Sequence, residues 1–102
     1  MYKGINSLNN PAAYAASKGG LIQLTRWLSS NMAPWVRVNA LAIGGIERNQ
    51  QSQFKERYKK LTPLNRMAKE NDVIGPLIFL VSDLSKYITG QIINVDGGLS
   101  VW

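Results

Sequence analysis

The sequence predicts an α/β fold built on a parallel pair of strands. Two strand-like runs, Val36 to Ile43 and Gln91 to Val95, are separated by segments of helical pattern, and a long helical pattern precedes the first run. From Ala40 to Ile43 the first run is almost continuously apolar. That suits a strand buried on both faces, as strands of parallel sheets are. Strands joined through helices need a crossover, and such crossovers are right-handed. At 102 residues the chain provides one small domain.

Residues 1–9 are polar and irregular. Asn10-Pro11 reads as a helix start, with Asn as a cap for free N–H groups and Pro at the first helical position. The helix is expected from about Pro11 to Asn31, with Leu21, Leu24 and Leu28 as a buried stripe at spacings of three and four. Gly19-Gly20 costs this helix roughly 1 kcal/mol per Gly against Ala. Close packing of another backbone is the expected reason for it. Asn31 to Trp35, with Pro34, ends the helix.

Gly44-Gly45 follows the first strand at its carboxyl end, where open α/β sheets place ligands. Two glycines permit unusual backbone angles and a close approach of main chain to a ligand. From Gln50 to Leu61 a short amphipathic helix is expected, with Phe54, Tyr58 and Leu61 on one side and Thr62-Pro63 as its stop. A further helix runs from about Lys69 or Glu70 to Ser82, with Val73, Ile74, Leu77, Ile78 and Val81 as its apolar stripe. Asn71 and Asp72 suit its positive N-terminal end, and Gly75-Pro76 predicts a kink or a later start. Thr89-Gly90 is a turn, Gln91 to Val95 the second strand, and Asp96-Gly97-Gly98 its exit.

Composition excludes several classes of function. With 45% hydrophobic residues and no low-complexity run, this is globular material. The chain has no cysteine and no histidine, which removes disulfides, thiolate nucleophiles, cysteine zinc sites and the usual general base. Neither a signal-like N-terminal segment nor a membrane-length apolar run is present, so the expectation is a soluble cytoplasmic protein without membrane partners. Net charge is +6, much of it from Arg48, Lys55, Arg57, Lys59, Lys60, Arg66 and Lys69. That window reads first as a solvated basic face, and second as an attraction for an anionic, phosphate-bearing or nucleotide-linked substrate. No motif for DNA or RNA accompanies it, so no nucleic-acid partner is expected.

The chemistry is expected at Tyr14-Ala15-Ala16-Ser17-Lys18. Residues four apart share a helix face at roughly 5–6 Å. An ammonium beside a phenol favours the phenolate, which lets a Tyr exchange a proton with a substrate oxygen.

Tyr14-x-x-x-Lys18, Arg37-Val38-Asn39, Gly44-Gly45-Ile46, Ile88-Thr89-Gly90-Gln91 and Val95-Asp96-Gly97-Gly98 occur in this order. Together they resemble the C-terminal half of a short-chain dehydrogenase/reductase. The resemblance implies the C-terminal half of a Rossmann-like doubly wound parallel sheet (helix–strand–helix–helix–strand) without the N-terminal dinucleotide-binding half. It implies NAD or NADP as cofactor and a small carbonyl or alcohol substrate. Tyr14 maps to the general acid/base, and Lys18 to the residue that bonds the nicotinamide ribose. Ile43, Gly44, Gly45 and Ile46 map to backbone contacts with the nicotinamide carboxamide. Asn39 is expected to hold local structure. Within the family, Gly44 to Gln50 and the ending Gly98 to Trp102 resemble members called flagellin modification protein A, linked to nucleotide-sugar and surface-glycan pathways.

Departures from the family pattern carry their own expectations. The Gly-rich phosphate-binding turn has no counterpart in these residues. Ser7 is too close to Tyr14 to match the substrate-orienting Ser. Ile43 stands where Pro is common, which implies a slightly looser loop; Arg48 stands near a place often held by Thr, which implies altered contact with the cofactor or an anionic substrate. The chain is therefore expected to be inactive alone, as part of an oxidoreductase. The alternative is a non-catalytic remnant that self-associates or binds a fuller relative. In both cases an apolar edge at Val36 to Ile43 invites pairing and predicts a homo-oligomer.

Overall fold

The computed structural model describes residues 12–101. The expected N-terminal loop, the Asn10-Pro11 cap, Ser7 and Trp102 lie outside the described residues. In chain order the elements are α1 (Ala12–Asn31), β1 (Ala40–Ile43), α2 (Ser52–Leu61), α3 (Asn71–Val81), a 3-10 turn (Asp83–Ser85), β2 (Ile92–Val95) and a second 3-10 turn (Leu99–Val101). The two strands pair in parallel, with Ala40 opposite Ile92 and Ile43 opposite Val95. The architecture is the predicted α/β arrangement.

Both strands are shorter than expected, and side chains explain why. At Val36 to Asn39 the backbone is tied by side-chain bonds in place of a ladder. Arg37 donates through Nη1 to the Ile88 carbonyl at 3.1 Å and through Nη2 to those of Leu80 at 2.8 Å and Ser82 at 3.4 Å. Asn39 donates to the Ile88 carbonyl at 3.0 Å and accepts from the Gln91 N–H at 3.0 Å. It holds local structure. Gly90, at φ 72°, donates its N–H to the Val38 carbonyl at 2.7 Å. A Cβ there would meet Ser29 Oγ at 2.7 Å, so α1 is seated on this turn near its C-terminal end.

The buried core is small: Tyr58, Met67 and Leu99, with Leu61 packed against it. On α2 the expected apolar side holds, since Tyr58 is buried and its ring centroid lies 6.1 Å from that of Phe54. Thr62 stops α2, donating its N–H and its hydroxyl back to the Tyr58 carbonyl.

Two expected buried stripes are not buried. On α1, Leu21 and Leu24 are 54% and 48% exposed, while Thr25 and Ser29 are the buried residues. On α3, Ile74, Leu77, Ile78 and Val81 are all about half exposed or more, and Leu80 is buried in their place. The periodicity is real, but the described residues do not cover these faces. A Cβ added at Gly19 or Gly20 would meet nothing within 4 Å, so among the described residues of this chain no backbone packs there. Pro76 lies inside an uninterrupted α3 and sets neither its start nor its end.

Asp72 in the first turn of α3 accepts both guanidinium nitrogens of Arg66, at 2.6 and 2.9 Å, and the Lys69 N–H at 2.7 Å. The Arg66 hydrogen bond, followed by that from Lys69, holds its carboxyl well below the usual carboxylate range. A depressed folded-state value contributes stability that is fully present above the ordinary 3.8 and is lost as pH falls through the folded value. The urea midpoint should therefore drop as pH is lowered from 5 to 2.5, and Asp72→Asn should flatten that slope; an unchanged slope would refute the assignment. Arg37→Ala, which strips three carbonyls of a charged donor, should cost about 1.5–3 kcal/mol in the same measurement.

Candidate functional site

The site forms where β1 and β2 end. Gly44 extends the ladder by donating its N–H to the Val95 carbonyl at 3.0 Å. Gly45 donates its N–H to the Tyr58 hydroxyl. Its carbonyl accepts from the Ala68 N–H at 3.0 Å, and the Glu47 N–H donates to the Ala68 carbonyl at 2.7 Å. Ile46 bridges to Ala68, and its carbonyl accepts from Gln50 Nε2 at 2.8 Å. Among the described residues, no partner for the Ile46 N–H is found.

The two glycines are needed for a reason other than the expected one. Neither has a positive φ; Gly90, Gly97 and Gly98 do. A Cβ on Gly44 would sit 2.9 Å from the Asp96 Cα and 3.0 Å from the Tyr58 hydroxyl. One on Gly45 would sit 2.8 Å from the Tyr58 ring. Their missing side chains make room for Tyr58 and the end of β2.

Beside the diglycine lies a cavity of about 470 Å³. Its walls include Tyr58, Pro63, Leu64, Met67, Arg66 with Asp72, and Asp96 to Gly98. Asp96 closes the end of β2 by accepting the Gly98 and Ser100 N–H groups, each at 3.0 Å. The Ser100 hydroxyl is the largest cause holding its carboxyl below the usual range, against the opposing effect of burial.

Tyr14 and Lys18 lie on the first turns of α1, with the Lys18 Nζ 5.5 Å from the Tyr14 ring centroid. The pair is brought together as expected. Tyr14 is 53% exposed, and no residue of α1 lines the cavity. Spacing places Tyr14, Lys18, Leu21 and Thr25 on one face at steps of four, three and four. Thr25 is buried, so this is the face α1 turns inward where it is seated. Ile43 ends β1 with its side chain 44% exposed.

Arg48 does not face the cavity. Its guanidinium pairs with Glu70 at 2.7 Å on the surface. Four cations of the basic window are ion-paired: Arg48, Lys55 with Glu47, Lys59 with Glu56, and Arg66 with Asp72. Four of the seven cations in that window are thus neutralised locally.

Sequence reasoning placed Tyr58 on an apolar stripe and missed its hydroxyl. It also missed the Arg66–Asp72 fork. The signal available for the fork was an Arg six residues before an Asp that opens a helix.

A family model described as enoyl-(acyl carrier protein) reductase matches residues 1–100. Post-translational flagellin modification protein A of Campylobacter coli is 39% identical over 93 residues, covering 90% of this chain and 36% of that protein. The 3-oxoacyl-(acyl-carrier-protein) reductase FabG of Aquifex aeolicus is 40% identical over 91 residues, covering 84% of this chain and 37% of that one. Among solved structures, a short chain dehydrogenase from Leptospira borgpetersenii with bound NAD+ superimposes with a TM-score of 0.87 at 44% identity, over 90% of this chain and 37% of that chain. A gluconate 5-dehydrogenase from Burkholderia cenocepacia in complex with NADP and tartrate gives 0.84 at 32%, over 94% and 41%. The chain thus spans well under half the length of these relatives. The ordered motifs, the matching family model and the shared fold together show that it belongs to the short-chain dehydrogenase/reductase family, as the C-terminal part of its Rossmann-type sheet.

Proposed function

We propose that Tyr14 and Lys18 are the proton-transfer pair of an NAD(P)-dependent oxidoreductase acting on a small carbonyl or alcohol substrate. The observation that carries this reading is the approach of the Lys18 ammonium to the Tyr14 ring, on the helix face that carries the buried Thr25 further along. Geometry along the helix supports it. Ser29 is seated on Gly90, which bonds Val38 at the amino end of β1. Helix from Ser29 back to Tyr14 is roughly 22 Å long, and extended chain from Val38 to Gly44 is roughly 20 Å. A helix running back along β1 would bring Tyr14 level with the diglycine.

The residues present fit the nicotinamide end of a dinucleotide. The unpartnered Ile46 N–H, at the carboxyl end of β1, suits a carboxamide oxygen, and Ile43 to Gly45 supply the backbone around it. When bound, the nicotinamide supplies or accepts the hydride at the carbon that carries the reacting oxygen. Tyr14 gives that oxygen a proton in reduction and removes it in oxidation. Lys18 stabilises the phenolate so formed and reaches the ribose. Nothing in the 102 residues matches the glycine turn that holds the pyrophosphate. Weak cofactor binding and no turnover by the chain alone follow from this reading, as does a cytoplasmic setting.

A second reading, a self-associating remnant, is favoured by the apolar surface. Trp27, Leu21 and Leu24 on α1 and Ile78 and Val81 on α3 are each about half exposed or more. The unpaired edge of β1 adds backbone groups to them. Both readings call for a homo-oligomer.

NADH titrated against the chain and followed by amide resonances should shift Ile46 only at millimolar cofactor, and Lys18→Ala should weaken that several-fold. Saturation at micromolar cofactor would overturn the weak-binding reading; an unaltered Lys18→Ala titration would overturn the role of Lys18. In a preparation that turns over, Tyr14→Phe should lower kcat by about 10²–10⁴. Light scattering at tens of micromolar should report a dimer or larger, and a stable monomer there would sink the oligomer.

A further inference from the structure

Tyr58 is 6% exposed and lines the cavity beside Gly45. Its oxygen is occupied as an acceptor, because the Gly45 N–H donates to it. Its own hydrogen is not occupied: among the described residues no acceptor for it is found. Buried hydroxyls are ordinarily bonded in both senses they can be, or meet water or a ligand. Nor is the ring free to turn away. A Cβ on Gly45 would already collide with it, Phe54 flanks it, and Met67 closes the core behind it.

The walls narrow the chemistry of what could fill the space. Pro63, Leu64 and Met67 are apolar. The charged lining groups are Arg66, Asp72 and Asp96. Arg66 is consumed by Asp72 in a two-point fork, with a further bond to the Met67 carbonyl. What remains is the carboxylate of Asp96, held ionised by its bonds to Ser100 and Gly98. The wall therefore carries net negative charge, and its one cation is already paired. An anion entering here would be repelled by Asp96 and would meet an Arg66 whose charge is already paired with Asp72. The volume of about 470 Å³ falls within the range of small-molecule sites.

We propose that this cavity is a binding site for a small neutral molecule carrying an acceptor oxygen, and that the Tyr58 hydroxyl is the donor that holds it. The site shares Gly44 and Gly45 with the proposed carboxamide contacts but uses no residue of α1, so its binding test, made without cofactor, is independent of the Tyr14–Lys18 reading. It also separates ligand class from surface charge. Of the seven cations in the basic window, only Arg66 reaches the cavity, so the positive surface does not imply an anionic occupant here.

The test compares three probes of similar shape on the whole chain: cyclohexanone, its carbon isostere methylenecyclohexane, and cyclohexanecarboxylate. Binding is read from the amide resonances of Gly45, Met67 and Gly97. The expected result is saturable shifts with cyclohexanone, at least fivefold weaker binding of the alkene and at least tenfold weaker binding of the carboxylate. Tyr58→Phe, which keeps the ring and removes the hydroxyl, should weaken the ketone at least fivefold and leave the alkene unchanged. If that variant does not fold, the three-probe comparison on the wild-type chain decides alone. Absence of shifts with the ketone (a cavity that holds only water), a carboxylate that binds as well as the ketone, or a Phe variant that binds the ketone normally would each overturn the proposal.

Discussion

The parallel pairing of Ala40–Ile43 with Ile92–Val95 is the constraint on which the rest of this structure depends. Its strands lie far apart in the chain, so pairing them closes a loop of roughly fifty residues. Four residues on each side are too few to hold such a closure by ladder bonds alone. The two ends of the pair supply what the ladder lacks. At the amino end, Arg37 and Asn39 gather the Leu80, Ile88 and Gln91 backbone around the strand start. At the carboxyl end, Tyr58, Met67 and Leu99 form the core against the exits of both strands.

The ends differ in what they leave open. At the amino end Arg37, Asn39 and Thr89 tie neighbouring backbone with their side chains, and Gly90 and Ser29 seat α1. That end is structural. At the carboxyl end, Gly44 and Gly45 have given up side chains so that a phenol and the turn into Asp96 can close on them. The closing is incomplete: a cavity remains, and among the described residues neither the Ile46 N–H nor the Tyr58 hydrogen has a partner. A cavity at the carboxyl end of a parallel pair lies where open α/β sheets place ligands.

How far the sequence could be read follows from which interactions are local. Apolar runs and helix stops located α1, α2, α3 and the parallel pair, because apolar periodicity and stops such as Thr62-Pro63 act within a few residues. The shortening of β1 was not readable, because it depends on Arg37 reaching residues more than forty positions away. The reason for Gly44-Gly45 was hidden in the same way: the colliding groups are on α2 and at the end of β2. The stripes on α1 and α3 show a different limit. Periodicity reports that a helix face is apolar, and says nothing about whether the body that covers it belongs to the same chain. Relatives of more than twice this length have further chain with which to cover it. Tyr14 and Lys18 were brought together as the spacing required, since a contact four residues apart on a helix needs no distant partner.

Helix α1 is tied to the structural end of the strand pair. It is seated near its C-terminal end, where Thr25 and Ser29 are buried and return their hydroxyls to their own helix at Leu21 and Arg26. From there to Tyr14 it carries its apolar residues largely uncovered, with two glycines that touch nothing. The position of the Tyr14–Lys18 pair therefore rests on the stiffness of the free turns between, and glycines weaken a helix where nothing packs on it. Any body that covered Leu21 would also lie against Tyr14 and Lys18, which share its face. Association and proton transfer are for this reason not opposed uses of α1: a contact that covers Leu21 would also steady the Tyr14–Lys18 pair.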